Sequence, residues 1–173
     1  MTPTLRRRSL LRIGACTLAA SALATCVVAG PAAAQGVTWD TPSAHTAVKL
    51  AFAQVLERNV DPIGLRDFTA LLVGKNISAQ ELVYRVANSR EYRRRFIDPY
   101  VATQNWQMVV TKAYQHLLNR APESTSVVAR DATILRQARY SEWLKSIVFS
   151  SEYTAKWGAT GIPGHGAVAT HAS

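Results

Sequence analysis

Apolar residues three and four positions apart recur from about residue 42 to residue 157 and predict helices rather than strands. The first helix is predicted from Thr41, as an N-cap, and Pro42, at the first helical position, to about Arg58. Asp61-Pro62 and Gly64 are expected to break it. No stretch shows the sustained alternation of apolar and polar residues that marks half-buried strands. The pattern therefore predicts an all-α fold, built as a helical bundle.

The same spacing predicts the later helices. They are expected at 65–73, from Ala79 behind the capping box Ser78 to Glu81, at 90–96, at 99–119, at 126–138, at 141–149 and in a last short helix that ends at Trp157. Residues 42–157 are thus the predicted helical domain. Residues 35–41 are predicted as a linker, and the Gly-, Ala-, Thr- and His-rich residues 158–173 as a disordered tail.

The amino terminus has the pattern of an export signal. Arg6 to Arg8 and Arg12 precede a short apolar run, and small residues end at Ala34, where we predict cleavage. The localisation expected is periplasmic or extracellular, without stable membrane insertion after cleavage. Arg7 and Arg8 leave a twin-arginine route and the general route both open. Both cysteines lie in this segment, and Cys26 leaves lipidation as an alternative.

Two tandem helical units, at about 50–96 and 112–157, are predicted from an internal repeat. Arg58 matches Arg120, and Tyr92 matches Tyr153. The two tyrosines are separated by one residue fewer than the two arginines. Glu91 with Glu152 and Phe96 with Trp157 have the same separation as the tyrosines. For the repeated arginines we expect a structural role, in hydrogen bonds to helix C-terminal carbonyls or to the glutamate of the closing helix.

Two patterns carry a resemblance to known families. Arg58, Asp61, Gly64 and Leu65, followed by Glu91 and Tyr92, resemble an uncharacterised helical repeat domain of secreted and surface bacterial proteins. The stretch from Ser89 to Phe96, followed by Tyr114 to Pro122, resembles phycobilisome linker polypeptides. This resemblance implies an all-helical fold and a non-enzymatic scaffold that links other proteins in photosynthetic antennae. Antenna linkers carry no export signal, so we expect a scaffold role without light harvesting.

A cluster of arginines, here called the basic face, is the candidate binding feature. It consists of Arg85, Arg90, Arg93, Arg94 and Arg95. Guanidinium groups this close would present paired donors to carboxylates, phosphates or sulfates, and a solvated helix face is the alternative. The formal net charge is +9, and it becomes +5 when the four arginines of the signal are removed. The partner expected is therefore a protein or an anionic envelope polymer, and nucleic acid is not expected.

Catalytic and metal-binding groups are not recognisable. The four histidines lack metal-ligand spacing, and no acidic loop suggests calcium. We expect no enzyme, no metal and no cofactor. His116 is expected to be partly buried or to pack at the surface. An alternative function, as a cell-surface glycan-binding or adhesion module, requires exposed aromatic rings such as Trp39 or Trp106.

Overall fold

The computed structural model of the chain describes residues 38–75, 77–137 and 139–168. Most of these residues are helical, as the all-α prediction requires. The predicted signal peptide at 1–34 lies outside the described residues, so export, lipidation and the choice of route stay predictions. Within the described ranges, no helix has the length and apolar character to cross a membrane.

The helices follow one another with short connections. They are α1 (Thr41–Leu56), α2 (Pro62–Lys75), α3 (Ala79–Ala87), α4 (Arg90–Tyr92), a π-helix (Arg93–Ile97), α5 (Asp98–Ala102), α6 (Trp106–Leu118), α7 (Thr125–Arg136), α8 (Tyr140–Val148) and α9 (Ser151–Trp157). Two-residue strands β1 (Gly161–Ile162) and β2 (Gly166–Ala167) then pair antiparallel. The predicted helices are found within a few residues of these bounds, with the exceptions below.

The turn after α1 starts a helix instead of only breaking one. Asp61 Oδ1 accepts a hydrogen bond from the Gly64 N–H (2.8 Å), and the Asp61 carbonyl accepts one from the Leu65 N–H (2.9 Å). Pro62 occupies the first helical position, where its missing N–H would have had no partner anyway. As a result, α2 begins three residues before the predicted start at Leu65.

The end of the predicted linker is part of the folded body. Trp39 is 4% exposed, and its indole Nε1 donates to the carbonyl of Ile77 at 3.0 Å. Asp40 accepts a hydrogen bond from the Ser43 N–H at 2.8 Å and is the N-cap of α1, so the predicted N-cap Thr41 is already helical. A large buried ring thus ties this segment to the helices.

The long helix predicted at 99–119 is wrong, because the helix breaks between α5 and α6. Gln104 adopts a left-handed conformation with φ 55°, which no helix continues through. Asn105 then caps α6, since its side chain accepts from the Met108 N–H at 3.2 Å. Apolar spacing continues on both sides of the break, so periodicity alone did not reveal it.

The helix predicted at 90–96 is divided into α4 and a π-helix. Ser89 caps α4 by accepting a hydrogen bond from the Tyr92 N–H at 3.2 Å, as a helix-starting serine does. The wider π-turn places Phe96 and Ile97 side by side in the core, at 7% and 4% exposure. Arg93 to Arg95, which lie in the π-helix before Phe96, therefore do not follow α-helical spacing.

The core is continuous, and α3 meets α8 across it. Gln80 of α3 donates to the Val148 carbonyl at 2.7 Å, while the Tyr140 hydroxyl of α8 donates to the Ala87 carbonyl at 2.9 Å. Each helix thus binds a carbonyl at the carboxyl end of the other. The bulkiest fully buried side chains are Trp143, Tyr92, Tyr153, Leu56, Leu72 and Leu82.

The prediction of a disordered tail at 158–173 is wrong for its described part, which ends at residue 168. Ile162 is fully buried and Val168 is 8% exposed, so both join the core. The Ala79 N–H donates to the Ala159 carbonyl at 2.9 Å, which holds the segment at the start of α3. Two well-placed apolar residues order a segment whose overall composition is typical of a flexible chain.

Candidate functional site

Arg58 joins the end of α1 to α4. Its Nε and Nη2 atoms donate to the two carboxylate oxygens of Glu91 at 2.6 and 2.7 Å, and its Nη1 donates to the Asn59 carbonyl at 2.7 Å. The guanidinium carbon lies 5.2 Å from the ring centre of Phe52. Asp61 adds a longer ion pair at 3.5 Å. We call this arrangement the first clamp; the glutamate is one of the two partners expected for the arginine.

Arg120 makes the same contacts at the end of α6, in what we call the second clamp. Both hydrogen bonds to Glu152 measure 2.6 Å, and the Ala121 carbonyl accepts at 2.8 Å. The guanidinium carbon lies 5.2 Å from the ring centre of Tyr114. Glu123, at 3.0 Å, contributes the ion pair that Asp61 makes in the first clamp. The second clamp therefore forms although the chain after Arg120 lacks the motif that Asp61, Gly64 and Leu65 make after Arg58.

Electrostatics keep both clamps ionised. The hydrogen bond from Arg58 lowers the pKa of Glu91, and that from Arg120 lowers the pKa of Glu152. The same bonds raise the pKa of each arginine. A carboxylate held in this state is a poor general acid or base near neutral pH. The clamps therefore act as structural contacts.

The aromatic residues after each glutamate anchor the closing helices. Tyr92 and Tyr153 are fully buried, and burial raises the pKa of both hydroxyls. The Tyr92 and Phe96 rings lie 5.1 Å apart, whereas Trp157 is half-buried against the core. Leu65 also packs partly buried against the core. The repeat-motif residues are thus placed for packing.

His116 of α6 lies beside the first clamp and is more buried than expected, at 4% exposure. Its Nδ1 lies 3.0 Å from the Tyr92 hydroxyl and its Nε2 lies 3.0 Å from Glu57 Oε1. The pKa of Glu57 is lowered, first by its hydrogen bond to His116, so its carboxylate accepts and Nε2 carries the proton. In the neutral ring Nδ1 then accepts from Tyr92. Burial lowers the pKa of His116, which favours this neutral form.

The structure divides the basic face. Arg85 pairs with Glu81 at 2.8 Å, and Arg93 pairs with Asp98 at 3.3 Å. Arg95 donates to the Leu56 carbonyl at the end of α1, at 2.5 Å, and so caps that helix. Lys156, which corresponds to Arg95 by the shift that relates Tyr92 to Tyr153, donates in the same way to the Leu118 carbonyl at 3.3 Å. Arg95 is therefore a structural residue, and the five arginines do not form a single free surface.

Arg90 and Arg94 remain available at the surface. Both are exposed, and among the described residues neither side chain has an ion-pair or hydrogen-bond partner. Arg90 and Arg93 line an open cleft of about 500 Å³, together with Asn88 and Ser89 on one side and residues 139–142 on the other. We call this the arginine cleft.

The second wall of the arginine cleft, at residues 139–142, was not predicted from the sequence. Arg139 immediately precedes α8 and pairs with Glu142, with Nε to carboxylate at 2.6 Å. By the shift that relates Tyr92 to Tyr153, it corresponds to Ser78, the N-cap of α3. A basic residue at the capping position was the signal that could have identified it, because a cation there does not cap a helix.

Other proposed chemistry finds little support in the described ranges. They hold no group of three or more His, Cys, Asp or Glu side chains able to bind a metal ion. Trp39 is buried, and Trp106 packs half-buried against the core, so neither tryptophan offers the exposed ring that the glycan hypothesis requires. The described residues form a helical bundle with clamped helix ends and a basic cleft.

This helical bundle belongs to a known family. The model of the phycobilisome linker polypeptide family matches residues 39–165, and the chain is a member of that family. The match covers the whole helical domain, both clamps and the arginine cleft. The resemblance to phycobilisome linker polypeptides is thereby confirmed, whereas the resemblance to the uncharacterised helical repeat domain stays a prediction.

Relatives of the chain share this region. It is 30% identical over 120 residues to a protein of Galdieria sulphuraria named phycobiliprotein ApcE, an alignment that covers 67% of the chain and 13% of the relative. The protein of the same name from Nostoc sp. is 26% identical over 119 residues, which is 67% of the chain and 10% of the relative. That of Cyanophora paradoxa is 27% identical over 128 residues, 72% of the chain and 14% of the relative. The chain thus spans only a small part of these relatives.

Proposed function

We propose that the chain is an exported, non-catalytic scaffold module of the linker type, which binds a protein partner through its basic surface. The observation that carries the proposal is the family match over residues 39–165, on a helical body whose conspicuous charged contacts are structural clamps. The relatives are named phycobiliproteins, but most of their length has no counterpart here. Their activity is therefore not carried over.

Export is proposed from the amino-terminal pattern alone. Arg6 to Arg8, the apolar run and the small residues before Ala34 support a cleaved signal. Such a signal does not fit an antenna linker on the cytoplasmic face of the thylakoid, so the proposed scaffold role excludes light harvesting. Intact-mass measurement of the chain recovered from its host tests this. A mass that corresponds to a chain starting at Gln35 supports export, and an uncleaved chain in the cytoplasm contradicts it.

A protein partner fits the surface better than an envelope polymer does. Binding along an extended anionic polymer requires a row of free cations. Here Arg58 and Arg120 are held in clamps, and Arg85 and Arg95 are engaged within the fold. The arginines of the basic face that remain available therefore occupy a small area, as a contact with a protein requires.

Partner capture tests the scaffold role. The chain is cross-linked in its host's envelope, purified and analysed by mass spectrometry beside Arg90→Gln/Arg94→Gln, which removes the two arginines of the basic face whose side chains have no partner among the described residues. A variant of equal charge, Lys49→Gln/Arg66→Gln, changes exposed residues on α1 and α2 and is the control. We expect one protein to be enriched with the wild type and the control, and depleted with the first variant. Enrichment of no protein over an unrelated exported helical protein would overturn the proposal.

A further inference from the structure

The arginine cleft lies between the connection of α3 to α4 and the start of α8, and arginines stand on both of its walls. Arg90 and Arg93 stand on one wall and Arg139 on the other, with Glu142 as the acidic residue of the lining. Arg93 stacks over the Tyr140 ring, 5.9 Å from its centre. The cleft is thus basic, and one of its lining residues, Tyr140, is itself fixed in the core.

The ion pairs in and beside the arginine cleft are weak enough to exchange. Arg93 and Asp98 are 60% and 51% exposed and lie 3.3 Å apart. Arg139 and Glu142 are 57% and 64% exposed. Exposed pairs of this kind contribute little to stability, so an incoming carboxylate can take either arginine at small cost. Arg90 has no partner to give up among the described residues.

Neutral donors complete the lining. Ser89 Oγ accepts a hydrogen bond from the Tyr92 N–H and keeps its own hydrogen for a ligand. The side chain of Arg139 makes no capping hydrogen bond at the start of α8. It therefore leaves the first backbone N–H groups of this helix as donors for a ligand. Carboxylates are bound well by arginine forks combined with hydroxyl and backbone donors.

We propose that the arginine cleft is the docking site for an acidic segment of a partner protein, whose carboxylate side chains pair with Arg90 and Arg139. The inference rests on the proposed scaffold function and adds the chemistry of the partner. Charge complementarity argues for acidic side chains, and the volume of about 500 Å³ fits a few residues rather than a long polymer.

Titration of the purified chain with a fluorescent hexaglutamate peptide tests the docking site. Arg90→Gln/Arg139→Gln removes two guanidinium groups from the cleft. Arg94→Gln/Arg136→Gln removes the same charge from exposed arginines that do not line it. Loss of charge-assisted hydrogen bonds is expected to weaken binding to the first variant about tenfold or more, at physiological salt. The second variant is expected to stay within about twofold of the wild type, because it changes only long-range attraction.

Three results would overturn the docking site. One is equal loss of binding in both double variants, which would indicate attraction by net charge alone. Another is a wild type that binds hexaglutamate no better than Arg90→Gln/Arg139→Gln. The third is a stronger effect of the cleft variant on dextran sulfate than on hexaglutamate, which would assign the cleft to an anionic polymer. Partner capture by the cleft variant at the wild-type level would refute the docking site while leaving the scaffold function supported.

Discussion

Each clamp arginine makes more contacts than an ordinary surface ion pair. Arg58 and Arg120 are 30% and 22% exposed, and each binds both oxygens of one glutamate. A backbone carbonyl and an aromatic ring hold the rest of each guanidinium group. The planar guanidinium group already has the geometry that binds both oxygens of a carboxylate. Such bidentate, partly buried pairs therefore contribute more than the near-zero value of most surface pairs.

Replacing Arg120 by glutamine is therefore expected to lower the free energy of unfolding by about 1–3 kcal/mol, because it removes two charge-assisted hydrogen bonds. Urea unfolding followed by circular dichroism measures this. Arg66→Gln is the control, since its pair with Asp67 is exposed on both sides, and it should leave the midpoint unchanged. A double-mutant cycle with Glu152→Gln should show coupling, and additive effects would contradict the clamp.

His116 makes stability depend on pH. Its pKa is lowered in the folded chain, chiefly by burial, so the unfolded chain binds the proton more tightly. The free energy of unfolding should therefore fall as the pH drops through 6.5, the ordinary pKa of a histidine. Glu57, whose pKa is lowered from 4.5, should add a second loss at more acidic pH.

Unfolding midpoints of wild type and His116→Gln between pH 7.5 and 5.5 measure this dependence. We expect the slope of the wild type to be largely absent from the variant, which has no ring to protonate. Nitrogen chemical shifts should also show the wild-type imidazole with its proton on Nε2. An unchanged slope in the variant would assign the pH dependence to other groups.

At the scale of elements, the break between α5 and α6 depends on one unfavourable backbone conformation. Gln104 is exposed and holds φ 55°, which costs a non-glycine residue about 1 kcal/mol. Gln104→Gly is therefore expected to raise the free energy of unfolding by up to about 1 kcal/mol. Gln107→Gly, in the first turn of α6, should lower it by a similar amount. Thermal melts of both variants measure the contrast, and destabilisation by Gln104→Gly would contradict the role given to the turn.

Helix starts could be predicted from the sequence where a side chain caps the backbone. Ser78, Ser89 and Ser150 each accept the expected N–H, and the helices begin behind them. The failures have physical reasons of their own. A left-handed residue such as Gln104 leaves no trace in apolar spacing, and the π-turn at Arg93 keeps aromatic side chains buried while shifting the register of its arginines.

The site was predicted less well than the elements that carry it. The basic face was predicted from arginines that lie close together along the chain, but this closeness does not distinguish Arg95, which caps α1, from Arg90, whose side chain has no partner among the described residues. The second wall of the arginine cleft comes from much further along the chain, around Arg139. Only the packing of α3 against α8 brings the two walls together, and no local sequence pattern predicts this contact between distant segments.

At the scale of the molecule, the carboxyl-terminal hairpin completes the core. Ile162 of β1 is fully buried against the helices. Ile162→Ala is therefore expected to lower the free energy of unfolding by about 2–5 kcal/mol, through lost burial and the cavity left behind. His165→Ala, in the turn of the same hairpin and exposed, is the matched control. Denaturant unfolding measures both, and a small effect of Ile162→Ala would indicate that the hairpin is detached in solution.

The clamps also determine how the chain would respond to mechanical load. Each one ties together residues 33 or 32 positions apart, so tension along the backbone reaches these contacts before it reaches the helices between them. The helices between Arg58 and Glu91 are packed in the continuous core, so roughly 110 Å of extended chain, at about 3.3 Å per residue, is released only when those helices also unfold. A pull on the two ends of the helical body would therefore have to break the clamps and the shared core together.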